Sequence, residues 1–441
     1  MEKIRTVAET LAILHQYHHP VGLERQPKQL KTADFDGPVI FSNDPETATV
    51  PPAFFTIQTI QELKALGGVP DSRYGPGKME PYHPLPEPFS AERLANVSAN
   101  HIDLCKAFRA YIYGDSALVK DYEEMLNAKR FPMKVAFYNG EEITVSASNP
   151  LIIKDKEQCG ELVVLVYDQI TVEPEGKVIC YTNGRIEANA IQGLGGGPLH
   201  FVHKGRDGEM GAPGAAGNSG VNGIDGLPGR KKKDTCVTPP TPGTDGTEGS
   251  PGTKGSDGEP GGVAEKLSVT TAHLDGEVYL VSEGGAGGNG GGGGDGGGGG
   301  NGGDGGFCYN GADGDCSGGH SYVTTDPRYF SGNGGDGANG GAGGNGGNGG
   351  NGGDGGDIEC NYSTGNPNMS YWSTAGLPGA GGRAGRGGKG GDGGSAWCDM
   401  KDRIRNLNCS GIPGKKGING ESGRPGMQGK GGQIYINGKL R

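Results

Sequence analysis

The chain has no run of 18 apolar residues among its 441, so nothing in it reads as a membrane-spanning helix and membrane insertion is not expected. It has no C-x-x-C pair among its nine cysteines, which argues against a zinc site. No G-x-x-x-x-G-K-[S/T] occurs, and a G-x-G-x-x-G match inside polyglycine carries no information, so nucleotide binding is not expected. Basic charge is not in excess: 40 Lys and Arg face 51 Asp and Glu, for a net charge of −11, and no nucleic-acid footprint follows. The opening segment MEKIRTVAETLAILHQYHHP lacks a signal-peptide core, so classical secretion is not expected. No serine or cysteine nucleophile sits in a recognisable setting. The chain therefore reads as a non-enzyme with no cofactor and no metal. His15, His18 and His19 at a helix end read as solvated rather than as ligands.

What the chain has is glycine, and 78 of its 93 glycines lie at or after Gly205. They mark six runs with a period of three, over residues 205–229, 243–262, 284–306, 332–357, 376–394 and 411–432. A period of three matches neither the 3.6 of an α-helix nor the 2.0 of a strand, but it is the turn length of polyproline II. Such a helix makes no internal hydrogen bonds, so its backbone must bond to water or to a neighbour. Glycine on one edge lets that neighbour come close. Two assemblies fit: a three-chain collagen helix, supported by Pro213, Pro228, Pro251 and Pro260 before in-register glycines, and an intramolecular antiparallel bundle of six helices. The inserts between runs would bulge a triple helix at every break, which favours the bundle. The free positions of the tight runs, such as Asn289, Asp295, Asn301, Asp336, Asn345 and Asn348, read as solvating groups. A calcium β-roll is disfavoured, because GGGGGD and GGNGGD keep period three and lack the apolar position.

The segments GGAGGNGGGGGDGGGGGNGGDGG and GGNGGNGGNGGDGG resemble the polyglycine II sandwiches of snow flea antifreeze protein and of the long-tail-fibre tip adhesins of T-even-type bacteriophages. The resemblance covers about residues 205 to 432 and rests on repeat phase. It implies a rigid slab that works through a flat face, as in ice binding, or through the loops between helices, as in adhesion.

Residues 1–130 read as a mainly helical docking region, with helices over Thr6 to Tyr17, Thr56 to Leu66, Phe89 to Ile112 and Ser116 to Lys129. Ile102, Cys105, Phe108 and Ile112 form the expected buried stripe of the third. The Pro-rich stretch Gly37 to Pro52 reads as an extended loop. From Phe131 the pattern becomes that of strands. MKVAFY, an Asn139-Gly140 turn and EEITVSAS read as a hairpin, and further short strands follow with turns at Glu175-Gly176 and Asn183-Gly184. Residues 131–204 are therefore expected to form a small β-domain, a sandwich or a solenoid, and 433–441 a C-terminal strand. The whole is a multidomain chain: helical region, β-domain and six-helix polyglycine II bundle.

If the runs alternate direction, the inserts after the odd runs meet at the end away from the β-domain. That end collects Tyr309, His320, Tyr322, Tyr329, Phe330, Trp397, Arg403 and Arg405, an aromatic and basic set suited to a glycan or surface protein. It also collects Cys236, Cys308, Cys316, Cys398 and Cys409 as disulfide candidates, with Cys308 and Cys316 or Cys398 and Cys409 as pairs. The expected function is adhesion on an extracellular, virion or cell surface, with a fibre or envelope partner at the N-terminal region. A collagen-like component of a matrix, fibre or envelope is the alternative, and ice binding a third reading. The outward Asn and Asp side chains argue against ice binding.

Overall fold

A computed structural model describes residues 4–76, 85–99, 101–156, 161–232, 235–307, 332–396 and 409–441. Its strands, in chain order, begin with β1 (Gln29–Lys31), β2 (Val39–Ser42), β3 (Ala53–Ile57), β4 (Met133–Val145), β5 (Leu151–Lys154) and β6 (Val163–Val172). They continue with β7 (Lys177–Cys180), β8 (Gly184–Gly193), β9 (Leu199–Lys204), β10 (Arg230–Lys232), β11 (Thr235–Thr238), β12 (Leu267–Asp275) and β13 (Glu277–Glu283). The last are β14 (Ile358–Thr364), β15 (Asn368–Thr374), β16 (Ile434–Ile436) and β17 (Lys439–Leu440). Most belong to two sheets. One has nine strands in the order β1-β4-β6-β8-β12-β14-β16-β17, with β3 also on β4, and the other has six in the order β15-β13-β9-β7-β5-β2.

Every pairing in the six-stranded sheet is parallel, and in the nine-stranded sheet only β3 with β4 and β16 with β17 are antiparallel. The chain climbs as a two-layered coil. From a strand of the larger sheet a short turn leads to the smaller one: β4 to β5, β6 to β7, β8 to β9, β12 to β13, β14 to β15. At Gly276 and Gly365 this turn takes φ of +98° and +105°, values that favour a residue without Cβ. The return to the larger sheet is short at 155–162 and 181–183, then swells into 205–266, 284–357 and 375–433. Each swollen return contains two glycine runs.

The runs prolong the strands. Lys204 faces Glu283 in the sheet, an offset of 79, and in the runs that follow, Ala286 N bonds Asp207 Oδ1 79 residues away. The offset of 91 between β12 and β14 persists between runs two and four, where Asn348 N bonds Asp257 Oδ1. The offset of 76 between β14 and β16 persists between runs four and six, where Ile412 N bonds Asp336 Oδ1. Runs one, three and five form one layer and two, four and six the other. Within a layer neighbours are parallel, as in Gly208 N to Ala286 O and Gly211 N to Asn289 O. Between layers they are antiparallel, as in Gly291 N to Ser256 O and Gly294 N to Thr253 O.

This corrects the expected fold class. The N-terminal region is not mainly helical and the strands do not form a small base for a separate antiparallel bundle. β1, β2 and β3 belong to the two sheets, and the glycine runs are continuations of mainly parallel sheets that inherit their register. The physical reason is the coil: a chain that always returns in the same sense sets like-numbered segments side by side and parallel.

Two cores hold the strand part. Between the sheets lie Phe41, Tyr138, Leu165, Tyr167, Ile186, Phe201 and their neighbours, with Phe41 and Tyr138 stacked at 4.0 Å between ring centroids. The outer face of β3, β4 and β6, through Phe55, Ile57, Val135, Phe137, Val164 and Val166, is covered by helical residues including Leu63, Leu104, Phe108, Ile112 and Leu126. The helices are α1 (Val7–His18), α2 (Ile60–Gly67), α3 (Ala91–Leu94), α4 (Ile102–Tyr113) and α5 (Glu123–Arg130). Thr6 and Glu9 close α1 with a capping box. Cys105, Phe108 and Ile112 are buried in α4, but Ile102, its first residue, is 64% exposed, and Leu104 is buried in its place.

Asn139-Gly140 is not a turn: β4 runs straight through it. Asn139 N donates to Gln26 Oε1 at 2.8 Å, and a Cβ on Gly140 would stand 2.7 Å from the Tyr167 ring, so the glycine serves close packing. The glycines of the runs serve the same end: a Cβ on Gly294 would lie 1.9 Å from Ala215 O.

Candidate functional site

The six run ends farthest from the sheets are tied to one another. Gly229 N donates to Phe307 O at 3.2 Å, Gly306 N to Thr241 O at 3.0 Å and Gly332 N to Gly306 O at 2.8 Å. Gly334 N donates to Cys409 O at 2.9 Å, and Gly394 N to Gly335 O and Gly411 N to Gly394 O at 2.8 Å each. The inserts 230–242, 307–331 and 395–410 thus leave from one end of a two-layer slab. β10 and β11 form an antiparallel ribbon at the base of the first insert. Phe307, 44% exposed, stands at the root of the second.

Tyr309, His320, Tyr322, Tyr329, Phe330, Trp397, Arg403 and Arg405 all lie outside the described residues, as do Cys308, Cys316 and Cys398. Cys236 lies on β11 opposite Lys231. Cys409 is disulfide-bonded. Cys105 on α4 and Cys180 and Cys360 on strands are buried, with burial pushing Cys180 and Cys360 up to about 12.

The Asn and Asp side chains of the tight runs are structural acceptors, not solvating groups. Asn289 Oδ1 accepts Ala380 N at 2.8 Å, Asp295 accepts Arg386 N at 2.7 Å and Asn301 accepts Asp392 N at 2.9 Å. On the other layer Asn345 accepts Glu421 N at 2.8 Å and Asn348 accepts Arg424 N at 3.0 Å. A short side chain with a carbonyl oxygen reaches the amide of the next run that no backbone carbonyl meets. The outer faces are thereby internally bonded sheets rather than free polar surfaces.

A second group of polar residues, which the sequence reading missed, is buried where the strands give way to the runs. Fully buried His203 faces Thr182 O through Nε2 at 3.1 Å, and Cys180 Sγ donates to the same carbonyl at 3.0 Å. Burial pushes the imidazole down to about 4. Arg109 Nε stands 2.5 Å from Glu265 Oε1. Burial, opposed by Arg109, pushes Glu265 up to about 7. Glu359 is bracketed by Lys266 Nζ at 2.8 Å and Arg73 Nη1 at 3.0 Å. Burial opposes its ionisation, but Lys266 and then Arg73 hold the carboxyl down to about 2. Asn183 Oδ1 accepts Lys266 N at 2.8 Å and fixes this crossing. His203, Glu265, Lys266 and Glu359 are buried, Arg109 and Arg73 are partly exposed, and the group couples the apolar core to the glycine layers. Its one signal in the sequence is charge at the strand entries, Glu265-Lys266 and Asp357 with Glu359.

His15 and His18 lie in the last turn of α1, and the His18 ring packs 5.4 Å from Phe55. Among the described residues no group of three or more His, Cys, Asp or Glu could hold a metal ion, and no helix is long and apolar enough to cross a membrane. No family model, curated protein or solved structure matches the chain.

Proposed function

We propose that the chain is a non-enzymatic binding protein in which a two-layer glycine slab presents three loops to a glycan or surface protein. One observation carries this reading: the six run ends that root the inserts 230–242, 307–331 and 395–410 form one hydrogen-bonded network. Loops rooted so closely on a cross-bonded scaffold lose less freedom on binding than loops on separate elements. The sequence supplies those loops with Tyr309, Tyr322, Tyr329, Phe330, Trp397, Arg403 and Arg405, side chains that stack on sugars and donate to carboxylates. An adhesin exposed outside a cell or on a virion agrees with the disulfide at Cys409. The strand part, at the far end, is where a fibre or envelope partner would attach. A collagen-like role is less well supported, because glycine amides that would bond across three chains are bonded within one, as in Gly294 N to Thr253 O at 3.0 Å.

The test replaces 307–331 and 395–410 with short Gly-Ser connectors and measures binding to a glycan array and to cells. The expected result is loss of binding by a shortened protein whose circular dichroism shows that it is still folded, with thermal unfolding lowered where Phe307, Ser395 and Cys409 leave the run ends. Retained binding by the folded, shortened protein would refute the reading.

A further inference from the structure

The two lateral edges of the slab carry opposite charge. Runs one and two form one edge. Run one has Asp207, Glu209 and Asp225 against Arg206, and run two has Asp245, Glu248, Asp257 and Glu259 against Lys254, so the edge has net charge −5. Runs five and six form the other. Run five has Arg383, Arg386 and Lys389 against Asp392, and run six has Lys415, Lys416, Arg424 and Lys430 against Glu421, a net charge of +5. All of these side chains are exposed. Runs three and four, between them, hold only Asp295, Asp304, Asp336, Asp354 and Asp357 as charged residues.

The separation is not used up inside one copy. Arg206 and Lys254, the two cations of the acidic edge, are already paired with their own neighbours Glu209 at 2.8 Å and Asp257 at 3.0 Å. Among the described residues no ion pair joins the acidic edge to the basic one, since a middle run lies between them in each layer. Two straight, rigid edges of equal and opposite charge complement each other between molecules.

We propose that the chain associates with further copies of itself edge to edge, the basic edge of runs five and six meeting the acidic edge of runs one and two of the next copy. Such a contact is heterologous and leaves one free edge at each end, so it builds open rows rather than a closed dimer. The coils before run one fix the orientation. β6 lies beyond β8 in one sheet, and β7, β5 and β2 lie beyond β9 in the other, so the strand part projects past the acidic edge. A second copy set level and pointing the same way would meet that shoulder with its own strand part. Turned end for end, it lays its slab along the free length of the edge. Alternate copies then point their loops in opposite directions.

The test is sedimentation of the full chain in about 0.01 M and about 1 M salt, where the Debye length changes from about 30 Å to about 3 Å. Concentration-dependent association is expected at low salt and at least ~10-fold weaker association at high salt. Two variants separate the edges. D245N/E248Q/D257N/E259Q lowers the acidic edge from −5 to −1 while keeping the acceptors that Asp245 and Asp257 offer to run four. R383Q/R386Q/K415Q/R424Q lowers the basic edge from +5 to +1. Each variant, its fold checked by circular dichroism, is expected to be monomeric alone, and an equal mixture is expected to give dimers and nothing larger, because each partner keeps one edge. A wild-type monomer at low salt overturns the proposal, as does association of either variant alone or a mixture that stays monomeric. Retention of the monomeric wild type on a heparin column, lost in the basic-edge variant, would overturn it in favour of a polyanion ligand.

Discussion

Thr247 satisfies both backbone groups of Val221: its amide donates to Val221 O at 2.9 Å, and its Oγ1 accepts Val221 N at 2.7 Å. Thr244 does the same for Ile224, Ser250 for Asn218 and Thr253 for Ala215. Run one is an outer run, with a neighbour on fewer sides than the inner ones, and its backbone hydrogen bonds among the described residues go to other segments of the chain. The hydroxyl ladder of run two supplies the missing acceptors. Thr247→Val keeps shape and removes the acceptor, and is expected to cost about 0.5–1.5 kcal/mol. Thr247→Ser keeps the oxygen and should cost less. Urea unfolding of both variants checks this, and equal midpoints for Val and Ser would show that the ladder contributes nothing.

Glycine is not equally needed at every position of the tight runs. A Cβ on Gly294 would stand 1.9 Å from Ala215 O, whereas at Gly292 the nearest atom is Arg383 O at 3.8 Å. Gly294→Ala must push two runs apart and is expected to lower the melting temperature sharply. Gly292→Ala fits, and restricting the unfolded chain there is expected to stabilise by about 0.4–1 kcal/mol. Calorimetry on the pair decides. Equal destabilisation would mean that the layers are packed differently at these two positions.

This contrast explains what could be read from the sequence and what could not. The phase of the runs is visible because each inner glycine is forced by the backbone of a neighbouring run, in its own layer or in the other. Which run lies beside which is not visible, because the same spacing serves a parallel or an antiparallel neighbour, and the choice is made by strands far from the run. Val39–Ser42 lies in a proline-rich stretch that reads as a loop, and it becomes a strand only by pairing with Leu151–Lys154. Ala53–Ile57 likewise depends on Met133–Phe137. Asn139-Gly140 has the residues of a tight turn, but Gln26 and Tyr167 fix it within a straight strand. The aromatic and basic loops are a reading from composition, and their residues lie outside the described ones. The buried group around His203 and Glu265 was not, because a lone charge at a strand entry looks the same whether solvent or a second layer covers it.

That buried group predicts a pH dependence in two opposing parts. His203 is pushed from 6.5 down to about 4 by burial, and its Nδ1 has no partner among the described residues. The unfolded chain therefore binds the proton more readily, so this residue's contribution is present above pH 6.5 and is lost as pH falls toward 4. Glu265 moves the other way, from 4.5 up to about 7, so its contribution is present below pH 4.5 and is lost as pH rises through 7. Each shift corresponds to about 3 kcal/mol, and the windows nearly coincide, so in the wild type the two largely cancel. Single variants should separate them. His203→Gln leaves the Glu265 part alone, and stability is expected to fall as pH rises from 4.5 to 7. Glu265→Gln leaves the His203 part alone, and stability is expected to rise from pH 4 to 6.5. Urea midpoints measured across that range should slope in opposite directions for the two variants. Slopes of the same sign would mean that one of the two groups is open to water, and that the strand parts and the glycine layers do not meet as tightly as the geometry requires.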